Sequence, residues 1–206
     1  MNTRVAAFDF DGTLTCSDTV KFFILALLLS RPMALPSVVR ALVKSHGRLG
    51  EAKTGIICGL LTGTKCNGLR PALVLYGLFT QAVLRRDIVA LLRRHKAEGA
   101  VVIASASPAP ALRYLPVLRG CQIVATEFEV RDNHFTGFPS TPECVGEEKA
   151  RRVSAYLTQV GVESLFFAYS DSFLDEPLMR MAEKPTWVHP NQATRAKLPA
   201  DAILID

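Results

Sequence analysis

Two aspartates stand two residues apart in Asp9-Phe10-Asp11, and Gly12-Thr13 follows at once. Residues i and i+2 of an extended segment point to the same side, so both carboxylates face one place. Further along come Ser105-Ala106-Ser107, Lys149, and Ser170-Asp171-Ser172-Phe173-Leu174-Asp175. Gathered in one crevice, Asp9, Asp11, Asp171 and Asp175 would repel one another unless a divalent cation were present. Hard oxygen ligands suit Mg2+, which takes few carboxylates and keeps water and substrate phosphate as further ligands. The chemistry then divides. An ionised Asp9 can attack phosphorus. Asp11 can carry a proton to the leaving alkoxide and later take one from water. Lys149 brings positive charge to the nucleophile and the phosphoryl group, while Ser105 and the backbone N–H groups of Gly12, Thr13 and Ala106 are candidates to hold phosphate oxygens.

Each of these features has a plainer reading when taken alone. An Asp-x-Asp after a strand is usually a turn, and a serine at a strand end is usually a cap. Lys149 beside Glu147 and Glu148 could be a surface ion pair of little worth. Ser-Asp-Ser with Asp175 is also a common helix start, an N-cap followed by a first-turn acid. The combination, in order and each at the end of an expected strand, is what carries weight.

Those strands can be read from the apolar pattern. Residues 4–10 form a short buried run ended by Asp11-Gly12-Thr13. From Asp18 to about residue 80 the chain turns helical and leucine-rich, with breaks at Arg31-Pro32, Pro36, His46-Gly47 and Gly59 to Gly68, which predicts an insertion of three or four helices. Arg86–Glu98 is amphipathic and stops at Gly99. Ala100–Ala104 reads as a buried strand, Ala109–Leu118 as a proline-studded helix and Gln122–Thr126 as a third strand. A hairpin is expected around Asp132-Asn133. A helix at Glu147–Val160, a strand at Ser164–Tyr169, a helix at Asp175–Ala182 and a last central strand at Thr186–Val188 complete the pattern. Alternating strands and helices predict an α/β fold with a parallel sheet covered on both faces. In such sheets ligands sit beyond the carboxyl ends of the strands, where the candidate residues fall.

The whole chain has 206 residues, 49% hydrophobic and 21% charged, enough for one core and a small inserted unit and unlike a disordered chain. Its net charge of +5 favours anionic partners, but the basic residues are scattered in short pairs, which does not point to nucleic acid. Five cysteines without a CxxC pair fit free thiols in a reducing compartment. The longest apolar stretch, Phe22 to Leu29, is far short of the roughly 20 residues that span a bilayer. These features predict a cytoplasmic protein.

The set AFDFDGT, Ser105, Lys149 and Asp171 with Asp175 resembles the four motifs of the haloacid dehalogenase superfamily, and the resemblance covers nearly the whole chain. It implies a Rossmann-like core at 1–15 and 81–206 with a helical cap at 16–80. It also implies Mg2+ held by Asp9, the main-chain carbonyl of Asp11 and Asp171, with Asp175 supporting the metal site. Asp11, which dehalogenating members do not need, implies a phosphatase or mutase that works through an aspartyl-phosphate. The cap's place between the first and second motifs implies the phosphoserine-phosphatase-like branch. Within that branch DGTLTCSDT, VVIASASP, CVGEEKARR and AYSDSFLDEPL look most like bacterial lysophosphatidate and phosphatidylglycerophosphate phosphatases. Ser170 stands where many members have Gly. Asp18 stands where phosphoserine phosphatases usually have a Glu that reads the substrate amine.

The expected substrate is therefore a small or glycerolipid phosphomonoester, with phosphoserine as the alternative. A catalytically silent phospholigand-binding or membrane-associated protein is the reading from another class. The cap is expected to set specificity. Its apolar stripe with Lys21, Arg31, Arg40, Lys44 and Arg48 either packs within the cap or touches an acidic membrane at its inner face.

Overall fold

The computed structural model describes residues 4–31, 36 and 49–206. The chain forms two compact units. The first comprises residues 1–18, 83–126 and 143–206, and the second 19–82 and 127–142.

In the first unit a six-stranded sheet runs in the order β3-β2-β1-β6-β7-β8, with every pairing parallel. Its strands are β1 (Val5–Phe8), β2 (Ala100–Pro108), β3 (Gln122–Thr126), β6 (Leu165–Ser170), β7 (Ala182–Val188) and β8 (Ile203–Ile205). β1 is buried throughout and lies between β2 and β6, in registers Val5↔Ala100 and Ala6↔Phe167. Alternate residues of β1 serve opposite faces, as the pleat requires. Val5 and Ala7 join Val153 and Leu157 of the helix Gly146–Gln159 in one apolar cluster. Phe8 stacks on Tyr169 at 4.4 Å and meets the edge of His95 from the helix Arg86–Glu98. Helices therefore cover both faces, and the fold is the expected Rossmann-like α/β arrangement.

Three elements differ from the sequence reading. The helix expected over Ala109–Leu118 is cut to Ala109–Tyr114 and a single turn at Pro116–Leu118, because Leu115 precedes a proline and adopts extended angles. The helix expected over Asp175–Ala182 covers only Glu176–Arg180, and β7 starts at Ala182 and runs through Pro185. β7 is also not the last strand, since β8, three residues long and with no periodic signature of its own, pairs beyond it.

Around the second unit's helices Val20–Ser30, Leu49–Leu61 and Arg70–Ala82, the hairpin of β4 (Phe128–Arg131) and β5 (His134–Pro139) completes a separate packed body. Phe23 and Thr19 both meet Tyr76, by ring contact at 5.6 Å and by a 3.0 Å hydrogen bond. Asp132 and Asn133 have φ of 49° and 63°, the turn the sequence predicts. β5 is sewn to the loop after Leu61 by Gly63 N–H to Phe135 O at 2.8 Å and Phe135 N–H to Thr64 O at 2.9 Å. Gly137, at φ +87°, lies so close that a Cβ would stand 2.0 Å from Thr62 Oγ1. The sequence reading counts this hairpin with the core segments; its contacts here are with the helices. The break expected at Gly59 comes later, since the helix continues to Leu61. His46-Gly47 and the basic residues Arg40, Lys44 and Arg48 lie outside the described residues.

Candidate active site

Asp9 is the first residue past β1, and its N–H donates to Tyr169 O at 2.9 Å, which carries the β1–β6 ladder one step further. After it the chain makes a wide turn closed by Thr15 N–H to Phe10 O at 3.1 Å. Asp11 (φ −78°, ψ 124°) and Gly12 (φ 84°, ψ −26°) have the central angles of a type II turn, which calls for glycine at the second place. Space demands it as well: a Cβ on Gly12 would lie 2.3 Å from Asp171 Oδ2. The turn returns Thr13 toward the strand ends, where its hydroxyl lies 3.3 Å from Asp9 Oδ2 and 3.1 Å from Asp171 Oδ1 and accepts from Asp171 N–H at 3.0 Å. Asp9 and Asp171, 162 residues apart by number, thus share one hydroxyl between them.

On the β6 side the groups are charged. Lys149, only 3% exposed, donates from Nζ to Asp9 Oδ1 at 2.8 Å and to Asp175 Oδ2 at 2.7 Å. Asp175 is buried too, and Ser170 Oγ donates to its Oδ2 at 2.7 Å. Ser170 Oγ also accepts from Ser172 N–H at 3.2 Å, so Ser170 braces both the loop and Asp175. Burial depresses the ionised form of Lys149, but Asp9 and Asp175 outweigh it and raise its pKa, keeping the ammonium. For Asp9 burial dominates: against the pull of Lys149, and helped by Asp175 and Asp171, it pushes the carboxyl up to about 8. Asp171 is raised as well, first by burial.

The β2 side carries hydroxyls. Ser105 and Ser107 are buried, Ser107 N–H donates to Ser105 Oγ at 3.1 Å, and Ser107 Oγ donates to Asp11 Oδ2 at 2.5 Å. Thr126 Oγ1 donates to Ala106 O at 2.7 Å and accepts from Cys144 N–H at 3.2 Å, linking this strand end to the loop that leads to Lys149. Arg85 Nε reaches Gly12 O at 3.3 Å from the start of the Arg86–Glu98 helix. Asp18 lies half-buried where the chain leaves the first unit.

The donor set fits a hard divalent cation. One lysine faces the buried carboxylates of Asp9 and Asp175 with Asp171 close by, and burial raises the pKa of both Asp9 and Asp171, so that ionising them together calls for further positive charge. Among the described residues no group of three or more His, Cys, Asp or Glu is placed to hold a metal. Protein carboxylates here would number two, Asp9 and Asp171, with main-chain carbonyl, water and phosphate oxygens completing a Mg2+ shell.

The structure thus brings Asp9, Asp11, Gly12, Thr13, Ser105, Ala106, Lys149, Asp171 and Asp175 to adjoining strand ends in one unit. Ser107, Ser170, Thr126 and Arg85 contribute side chains that the sequence reading gave no role in the site, and Thr13, expected to bind phosphate, adds a hydroxyl between Asp9 and Asp171. Ser107 was signalled by its i+2 spacing from Ser105; nothing local marks Thr126 or Arg85.

The fold is a Rossmann-like α/β sheet with carboxylates, hydroxyls and a lysine gathered at its strand ends. Over residues 6–180 the sequence matches the haloacid dehalogenase-like hydrolase family, and the chain belongs to it. No curated protein matches it. Among solved structures it is similar to a protein of unknown function from Bordetella pertussis Tohama I, at 23% identity and TM-score 0.79, over 100% of this chain and 99% of that one. A HAD family hydrolase from Salmonella enterica serovar Typhi shares 18% identity at TM-score 0.66, over 98% of this chain and 66% of that one. A substrate-bound phosphoserine phosphatase shares 15% at TM-score 0.62, over 100% and 93%. At these identities the likeness is one of fold.

Proposed function

We propose that the chain is a phosphomonoester hydrolase in which Asp9 is the nucleophile. The observation that carries this is the Lys149–Asp9 contact of 2.8 Å at the carboxyl end of the central strand, with Thr13 and Asp171 beside the carboxylate's other oxygen. Lys149 orients Asp9 through Oδ1, which leaves Oδ2 to form the bond to phosphorus. Asp175, itself held by Ser170, holds Lys149 in turn. Mg2+, held by Asp9, Asp171 and the Asp11 carbonyl, would neutralise charge on the phosphoryl oxygens. Ser105 and the N–H groups of Gly12, Thr13 and Ala106 bind the remaining oxygens. Asp11 gives a proton to the leaving alkoxide, then takes one from the water that cleaves the aspartyl-phosphate.

For the substrate, the likeness of the motifs to bacterial lipid-phosphate phosphatases favours a glycerolipid phosphate. Apolar side chains exposed on the second unit, Leu25, Leu29 and Leu78, are in keeping with an acyl chain or with peripheral contact to an acidic membrane. Phosphoserine is the second reading, supported by the fold shared with a substrate-bound phosphoserine phosphatase and qualified by Asp18, shorter than the Glu usual there. Among the described residues no helix is long and apolar enough to cross a membrane.

The test is a panel of phosphomonoesters, lipid phosphates and phosphoserine included, assayed with and without Mg2+ on the wild type and on Asp9→Asn. Turnover that needs Mg2+ and drops by about 1,000-fold or more in Asp9→Asn is expected. Full activity in Asp9→Asn would sink the reading. Turnover of phosphoserine alone would remove the lipid substrate.

A further inference from the structure

Building on Asp11 as the proton carrier of the reaction above, we propose that Ser107 is its positioning residue. It fixes which oxygen of the Asp11 carboxyl delivers the proton.

The local backbone is built for this contact. Pairing of β2 with β3 runs regularly to Ser105↔Ala125 and resumes at Pro108↔Thr126, so Ala106 and Ser107 are extra residues without partners in β3. Such bulges re-aim side chains and recur beside active sites. The carbonyl released at Ala106 is taken by Thr126 Oγ1 at 2.7 Å, and Ser107 N–H is taken by Ser105 Oγ at 3.1 Å. With its backbone secured and its side chain 1% exposed, Ser107 aims its hydroxyl at Asp11 Oδ2, 2.5 Å away and 96 residues distant in sequence. A serine that merely ended a strand would bond to nearby backbone instead.

The direction of that bond has a chemical consequence. A serine hydroxyl has one proton to give, and here it goes to Oδ2. The proton that Asp11 transfers is then assigned to Oδ1, the oxygen that Ser107 does not engage. In the acid form of Asp11, Oδ2 remains an acceptor for Ser107, so the contact survives both protonation states and the carboxyl does not swing as the proton leaves. The cycle balances on Asp11 alone: Oδ1 loses its proton to the leaving alkoxide and regains one from the attacking water, while Ser107 keeps its own.

The test compares two leaving groups. An alkyl phosphate needs a proton on its leaving oxygen, whereas p-nitrophenolate leaves without one. With the Mg2+-supplied enzyme, Ser107→Ala is expected to lower kcat on the alkyl phosphate by about 10- to 100-fold. KM should stay within about twofold and p-nitrophenyl phosphate turnover should fall by less than about threefold. Ser107→Thr, which keeps the hydroxyl, should restore most of the alkyl rate. In Asp11→Asn, removal of the Ser107 hydroxyl should add little, as expected for groups acting as a unit. A readout apart from turnover is the carboxyl carbon resonance of Asp11, assigned by its loss in Asp11→Asn, which should move in Ser107→Ala. Should Ser107→Ala not fold, Ser107→Cys, close in size but a weak donor, gives the same division. Equal losses on both substrates, a change confined to KM, or an unmoved Asp11 resonance would overturn the proposal while leaving the hydrolase reading intact. A wild type inactive on every phosphomonoester would overturn both.

Discussion

The two flanks of Asp9-Phe10-Asp11 handle polar groups in opposite ways. Toward β6, Asp9 is buried against Lys149, Asp175 and Asp171, and its contacts are charge to charge. Toward β2, Asp11 is half-buried and meets a neutral hydroxyl set in a bulged strand. Two carboxylates two residues apart thereby acquire different surroundings. In the proposed reaction the charged, buried flank serves the nucleophile and, through Lys149, the phosphoryl group. The β2 flank, where Ser107 donates to Asp11, serves the proposed proton carrier. Environment, more than residue type, divides the labour.

The charged flank breaks most severely when its cation is removed. Lys149→Met leaves Asp9 and Asp175 buried without their partner, and about 3–5 kcal/mol of stability should be lost along with activity. Urea unfolding measures the loss. Adding Asp9→Asn to Lys149→Met should recover part of it, because one uncompensated carboxylate is gone. Failure to recover would mean that packing of the lysine stem, rather than charge, holds this flank.

A smaller effect is expected where the two flanks meet. Gly12→Ala forces a side chain into φ 84° and against Asp171. A loss of about 1–3 kcal/mol is expected, with turnover reduced through displacement of Asp171. Thermal unfolding and kcat on one substrate check it; a fully active, equally stable variant would show that the turn has more room than its geometry gives.

Least affected should be the ring cluster beneath β1, which serves as a control for both flanks. His95 is buried among Phe8, Phe167 and Tyr169, with Nε2 2.9 Å from the Tyr169 hydroxyl. Burial lowers its pKa, Glu98 opposing and Arg94 assisting. The folded protein therefore keeps His95 neutral to lower pH than the unfolded chain does. As pH falls below about 6.5 the unfolded chain takes up the proton first, and stability declines. His95→Gln should flatten the fall in unfolding free energy between pH 7 and 5 while leaving turnover at neutral pH unchanged. An unaltered slope would place the acid sensitivity elsewhere.

Much of the first unit could be read directly from the chain. The continuous apolar runs at Val5–Phe8 and Ala100–Ala104, bounded by turn residues, are strands because both faces of a parallel sheet are covered. Gly99 ends its helix and Asp132-Asn133 turns its hairpin, as their types predict. What could not be read was of two kinds. β8 is too short to show a period, and the helix at Glu176–Arg180 is curtailed because Ala182 is drawn into pairing with Leu165. The placement of the β4–β5 hairpin against Thr62 and Gly63 depends on contacts some seventy residues away in the chain.

The sequence by itself determined which residues stand at the strand ends and where glycine must allow the turn, since strand periodicity and backbone sterics act over a few residues. Only the tertiary structure decided their partners. Strand order puts Lys149 between Asp9 and Asp175, gives Thr13 to Asp171 across 158 residues, and hands Asp11 to Ser107. Local patterns fix that a strand forms, but the neighbour a strand end meets follows from how helices and sheet close around a common core.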